Sequence, residues 1–126
     1  MTTWTLVLPY SKPPLSANQR LHWAQKARIT RQIRRDAFLL AKSAKIPPLE
    51  RIVVRMEYLP RDRRRRDPSN LMPTQKAVVD GLVDAGVVPD DCPPFVTEWM
   101  PTITPHKEPL NETDARLRVS IEAVSP

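Results

Sequence analysis

A chain of 126 residues has room for one domain and too little for two ordinary ones, and at 40% hydrophobic content it can bury a single modest core. The formal charge is +6, and fourteen of the twenty basic residues are arginine, whose forked guanidinium matches phosphate geometry better than an ammonium does. A lone cysteine, Cys92, excludes an intrachain disulfide and a cysteine-based zinc site; the Met1-Thr-Thr-Trp start is no signal peptide, and no apolar run approaches the ~20 residues of a membrane span, so a soluble cytoplasmic protein is expected.

Thr3 to Leu8 (TWTLVL) alternates and is rich in β-formers, which predicts a strand closed by Pro9. Prolines number 15 against 2 glycines, and clusters such as Pro13-Pro14, Pro47-Pro48 and Pro93-Pro94 mark stiff loops between elements. A long helix is predicted from Asn18, a good N-cap, to Ala44. Ile29, Ile33, Ala37, Leu40 and Ala44 share its core face; Arg28, Arg31, Arg35 and Lys42 fall opposite, as a row suited to phosphates or simply to solvent. Arg51 to Leu59 (RIVVRMEYL) is the strongest strand pattern.

An arginine-rich loop follows, with five arginines between Arg61 and Arg66, and then a helix from Leu71 to Ala85. Asn70 can cap this helix, Pro73 is tolerated in its first turn and Gly86 ends it. Val78, Leu82 and Ala85 form its buried stripe, while Lys76, Asp80 and Asp84 share another face. Strands are predicted from Phe95 to Met100 or slightly beyond and over Ala115 to Val124, and Trp23 and Trp99 are assigned to core or interface. The order β-α-β-α-β-β predicts an α+β fold: a small mixed β-sheet of about four strands packed with two main helices, one domain over residues 1–126.

Asp67 directly follows the arginine run, and Asp90-Asp91 lie beyond the second helix. Arginines neutralise phosphates, and carboxylates set among phosphates can hold a divalent cation for phosphodiester chemistry. A helix of ~15 residues is ~22 Å long, so the acids at its two ends converge only if the arginine loop folds over it or a second subunit contributes one cluster. On spacing alone, Asp90-Asp91 reads as a solvated turn and Lys76-Asp80 as a surface ion pair.

The stretch Arg64-Arg-Arg-Asp67-Pro-Ser-Asn70-Leu71, then Lys76, then Asp80-Gly-Leu-Val-Asp-Ala-Gly86-Val-Val-Pro-Asp90-Asp91, resembles the RusA family of Holliday-junction resolvases. The family signature is roughly R-D-x-D-N-L, a lysine early in the helix, D-x-L-x-x-A-G-V and D-D. The first strand, the Pro-Pro loop, Asn18 and the basic helix are also similar, whereas residues 92–126 add only a last strand. The resemblance implies a RusA-like fold and a homodimeric endonuclease dependent on Mg²⁺, with Mn²⁺ as a substitute. Such an enzyme nicks opposing strands of four-way DNA junctions in the bacterial cytoplasm, often phage- or prophage-encoded.

Carried over by position, the resemblance implies Asp67, Asp90 and Asp91 as metal ligands, and Asp67, Asp91 and Lys76 as catalytic residues. Arg63, Arg64, Arg65 and Arg66, with Arg28, Arg31 and Arg35, would grip the DNA backbone. Lys76 matches by its distance to Asp80 and Gly86; its separation from the first acid is longer here, with Pro73-Thr74 in or near the insertion. Asn70 would orient Asp67, and Asp80 would support the site as an ion-pair residue. One departure is serious: Ser69 stands where the family carries its second acid, and a hydroxyl brings no charge to a magnesium ion.

Two other readings use the same residues. One is a junction- or DNA-binding protein whose nuclease activity is weakened or lost through Ser69. The other is a basic RNA-binding domain, although no aromatic RNA-stacking motif is visible. His22 and His106 lie too far apart in sequence for an HNH or zinc nuclease.

Overall fold

The computed structural model describes residues 2–60, 62–105 and 117–124. Its elements are β1 (Thr3–Leu8), α1 (Trp23–Ser43), β2 (Arg51–Tyr58), a 3-10 turn (Pro68–Leu71), α2 (Met72–Asp84), β3 (Val96–Glu98), β4 (Thr102–Ile103) and β5 (Leu117–Val124). Arg61, and Ala115 and Arg116 of the expected last strand, lie outside the described residues.

The fold is α+β: among the described residues, a five-stranded mixed sheet with two helices. β5 pairs antiparallel with both β1 and β2, while β3 and β4 run parallel to β2 along its other edge. The strand expected over Phe95 to Met100 is thus two short pieces, separated by a segment containing Pro101, which has no N–H to give to a ladder. Because β1 and β2 are both antiparallel to β5, they point the same way. The loops leaving them, 9–22 and 59–67, therefore emerge at one end of the sheet.

Period-two alternation gives the sheet one apolar face. Leu6 and Leu8 of β1, Ile52, Val54 and Met56 of β2, and Leu117, Val119 and Ile121 of β5 are buried. α1 contributes Ile33, Ala37 and Ala41 to the same core, and α2 contributes Val78, Val79 and Leu82. The other face carries Arg55, Glu57, Arg118 and Ser120. There Arg118 Nε donates to Glu57 Oε1 at 3.0 Å, and the Arg55 guanidinium lies 5.5 Å from the Trp99 ring centre.

Four local expectations are corrected. The first helix begins at Trp23, capped by His22, whose Nδ1 accepts from the Ala24 amide at 3.2 Å. Asn18 is held in the preceding loop because that loop is tied to α2: the Leu15 amide donates to Thr74 Oγ1 at 3.1 Å, Thr74 Oγ1 donates to the Leu15 carbonyl at 2.8 Å, and the Ala17 amide donates to the Asn70 carbonyl at 3.1 Å. Tertiary bonding overrides the local cap preference. The core stripe of α1 ends on Ala41, with Leu40 half-buried and Ala44 exposed, because the helix ends at Ser43 and Ala44 is only its C-cap. Asn70 does not cap α2; Asp67 caps the 3-10 turn that precedes it, with Pro68 as the first residue of that turn. Trp23 and Trp99 are 76% and 53% exposed, so of the expected core or interface the core assignment falls. By contrast Gly86, at φ 80, ends α2 as expected, in a backbone conformation that glycine adopts without strain.

Gln75 is fully buried on α2 and closes the gap between β3 and β4. Its Oε1 accepts from the Met56 amide at 3.0 Å, and its Nε2 donates to the Trp99 carbonyl at 3.0 Å and to Glu98 Oε1 at 3.3 Å. Gln75→Leu keeps the size but strands a buried amide and a carbonyl, each at a cost of about 1–3 kcal/mol. Urea unfolding of this variant should show a loss of about 2–4 kcal/mol; unchanged stability would mean that solvent reaches the Met56 amide.

Candidate functional site

The carboxyl end of β2 leads into the arginine loop, and that loop folds onto its own acid. Asp62 accepts from the Arg64 amide at 3.0 Å and from Arg64 Nε at 3.2 Å, and it pairs with Arg66 Nη2 at 2.8 Å. Arg66 Nη1 also donates to the Asp62 and Arg64 carbonyls at 3.2 and 3.1 Å. The Arg64 amide, then the Arg66 guanidinium, hold the Asp62 carboxyl down to about 2. Two of the expected DNA-gripping arginines, Arg64 and Arg66, thus also brace the loop. Arg63 and Arg65 are exposed. Asp62 matches no motif, and the one signal it carries is its place as the acid inside the arginine run.

Asp67 ends this loop in extended backbone, and its Oδ1 accepts from the Ser69 amide at 3.0 Å and the Ser69 hydroxyl at 2.9 Å. These two bonds hold the carboxyl below its ordinary range, the amide having the larger effect. Oδ2 has no hydrogen-bond partner among the described residues. Ser69 therefore orients Asp67, the part that sequence reasoning had given to Asn70. The Asn70 amide instead donates to the Asp67 carbonyl at 3.0 Å.

Asp67 stands beside a cavity of about 450 Å³ between the loops leaving β1 and β2. Lys12, Asn18, Arg65 and Arg66 line it with Asp67, so residues 46 or more positions apart in sequence meet at one end of the sheet. Arg28, Arg31 and Arg35 are not among its lining residues; they are exposed on the outer face of α1, opposite its core stripe.

A second charged centre lies on the outer stripe of α2. Lys76 pairs with Asp91 and sits 3.4 Å from Asp80 Oδ1. Asp90 Oδ1 accepts from the Asp91 amide at 2.7 Å. The hydrogen bond to Asp91 raises the Lys76 pKa, and the same bond, helped by Asp90, lowers that of Asp91. The chain leaving α2 thus runs back as far as the second turn of the helix. Asp84, expected on this face, instead pairs with Arg34 of α1, whose Nη2 donates at 2.7 Å.

The two centres do not merge within one chain. Among the described residues, no three of His, Cys, Asp and Glu stand close enough together to hold a metal ion, so Asp67, Asp90 and Asp91 form no joint cluster here. Magnesium, however, commonly takes only one or two protein carboxylates and completes its shell with water and substrate phosphate. Asp67, with an oxygen available and the Ser69 hydroxyl beside it, fits that sparse donor set. At the second centre, the Lys76 ammonium supplies the cation between Asp80 and Asp91.

No helix among the described residues is long and apolar enough to cross a membrane. No protein-family profile matches the chain. It is 29% identical over 86 residues to an uncharacterized protein of Xylella fastidiosa (strain Temecula1 / ATCC 700964), a match covering 64% of this chain and 56% of that protein. The chain thus spans little more than half the length of this relative.

Proposed function

We propose that the chain is a structure-selective endonuclease that uses Mg²⁺ or Mn²⁺ to cut branched DNA, four-way junctions above all. The single observation that carries this is the Asp67 carboxylate, turned by Ser69 and set at a cavity rimmed by Lys12, Arg65 and Arg66. An acid among phosphate-binding cations suits phosphodiester chemistry better than simple phosphate binding, which an acid opposes. The resemblance of Arg64 to Asp91 to the RusA family supports the same substrate and a homodimer working in the bacterial cytoplasm.

In this scheme Asp67 and the Ser69 hydroxyl would hold the metal. When bound, it offsets charge on the leaving oxygen and lowers the pKa of water. Arg63, Arg65 and Lys12 grip the phosphates on either side. Arg66, fixed by Asp62, presents a guanidinium that needs no reordering on binding. Lys76 stays protonated between Asp80 and Asp91, and it would neutralise a phosphate of the same DNA only on exchanging Asp91 for that phosphate. A homodimer would bring two such pairs of centres to two opposing strands, with the rows of Arg28, Arg31 and Arg35 on the flanking arms.

A second reading, a junction binder that does not cut, is favoured by Ser69 itself, a neutral group where a nuclease of this kind gains from a second acid. Ser69→Asp places a carboxylate beside Asp67 and separates the two. With a synthetic four-way junction and Mg²⁺, the parent should give paired nicks near the crossover, and Ser69→Asp should raise their rate about tenfold or more. A gel shift without product from both proteins would leave only the binder. Ser69→Asp cutting no faster than the parent would remove position 69 from the metal site.

A further inference from the structure

The cavity beside Asp67 is larger and greasier than phosphate binding requires. Its volume is about 450 Å³, within the ~300–1,000 Å³ of ordinary small-ligand sites. Pro13, Tyr58 and Leu71 give it an apolar lining, and Asn18 and Asn70 contribute amide-bearing residues to its wall. Tyr58 is 8% exposed and Leu71 5%, so this lining belongs to the core and is rigid. The Arg66 guanidinium lies 5.7 Å from the Tyr58 ring centre, and the Asp62 carboxylate pins it there.

An apolar lining, residues able to hydrogen-bond a polar edge, and cations at the rim answer to the three parts of a nucleotide: base face, base edge and phosphate. The rim holds more positive charge than one phosphate needs, because Lys12, Arg65 and Arg66 meet there and Arg63 and Arg64 continue the run. That excess suits a nucleotide still joined to its strand. A paired base would first have to leave its stack, at a cost of a few kcal/mol, whereas a base at a bulge or in a single-stranded stretch is already free.

We propose that this cavity seats one unpaired deoxynucleotide of a DNA strand, its base against Tyr58 and Leu71 and its phosphate between Lys12 and Arg65. The site then favours branches that expose an unpaired base, and at a four-way junction, where every base is paired, it is filled only by opening a pair at the crossover. This rests on the reading that the chain handles branched DNA, though not on cleavage.

The test is binding in EDTA, followed by fluorescence anisotropy. Three labelled duplexes are compared: one fully paired, one with a single extra unpaired nucleotide, and one with a single extra abasic nucleotide. The base-bearing bulge should bind about tenfold tighter than the other two, in line with the stacking of one base. Asn18→Trp, an exposed position of the cavity wall filled with a bulky ring, should abolish that preference. Free thymidine monophosphate should displace the bulged duplex only at far higher concentration than an unlabelled bulged duplex does. Equal affinity for base-bearing and abasic bulges would overturn the pocket alone. Equal competition by the free nucleotide would overturn its assignment to a strand. No binding to any of the three would overturn this inference together with the DNA reading itself, whereas tight binding with no nicking of a junction in Mg²⁺ would touch only the nuclease.

Discussion

Asp67→Asn should lower Mg²⁺-dependent junction cleavage on the order of a hundredfold or more while leaving the fold intact. The asparagine keeps an oxygen for the Ser69 amide, so the cap of the 3-10 turn survives, and asparagine and aspartate are nearly equal as caps. Only the charge is lost, and with it the hold on a divalent cation. Junction affinity in EDTA should rise or stay level, because removing a carboxylate from a basic rim reduces repulsion of phosphate. The pair of readouts is decisive: cleavage and binding falling together would give Asp67 a structural role, and undiminished cleavage would move the metal elsewhere. The Ser69 amide and hydroxyl hold the Asp67 carboxyl below its usual range, so it stays ionised well into acid. Loss of cleavage on acidification should therefore set in below the ordinary carboxylate pKa, and Ser69→Ala should move that onset upward.

Gly81→Ala should destabilise the protein despite a substitution that normally strengthens a helix. A methyl at Gly81 would lie 2.3 Å from the Arg34 carbonyl oxygen and 2.7 Å from the Ala37 Cβ, both on α1. Neither neighbour is the end of a flexible side chain, so the helices must move apart. Glycine to alanine gains about 1 kcal/mol in helix propensity. Overpacking costs about 1–3 kcal/mol, with more where backbone must shift, and this contact is backbone. A backbone contact this close puts the cost at the upper end of that range, so the net loss should be about 2 kcal/mol in urea unfolding. The Arg34–Asp84 pair bridges the same two helices and should weaken with the displacement. A variant as stable as the parent or more so would contradict the close approach of α1 and α2.

Much of this architecture was legible in the chain. Thr3 to Leu8 and Arg51 to Tyr58 alternate with period two, and the structure pairs both with β5 in continuous register. α2 reads from Val78, Leu82 and Gly86 alone. What failed to show was tertiary. Asn18 is a fine cap by composition, but three hydrogen bonds from residues 15–17 to residues 70–74 keep it in a loop and turn it toward the cavity. No local pattern announces that Lys12 and Arg65 meet, because the meeting depends on β1 and β2 running the same way on either side of β5, a strand far downstream of both. The acids behaved likewise. Asp91 does return along α2, but it stops at Lys76, while Asp67 turns to Ser69.

The most direct test of the account locates the cation. Mn²⁺ titrated into the labelled protein, with a cleavage-resistant four-way junction present, broadens the amide resonances nearest to it. The account predicts that Ser69 and Asn70 broaden first, and that Asp67→Asn abolishes this. Sharp Ser69 and Asn70 signals, with broadening confined to the open face of the sheet around Glu57 and Glu122, would contradict it.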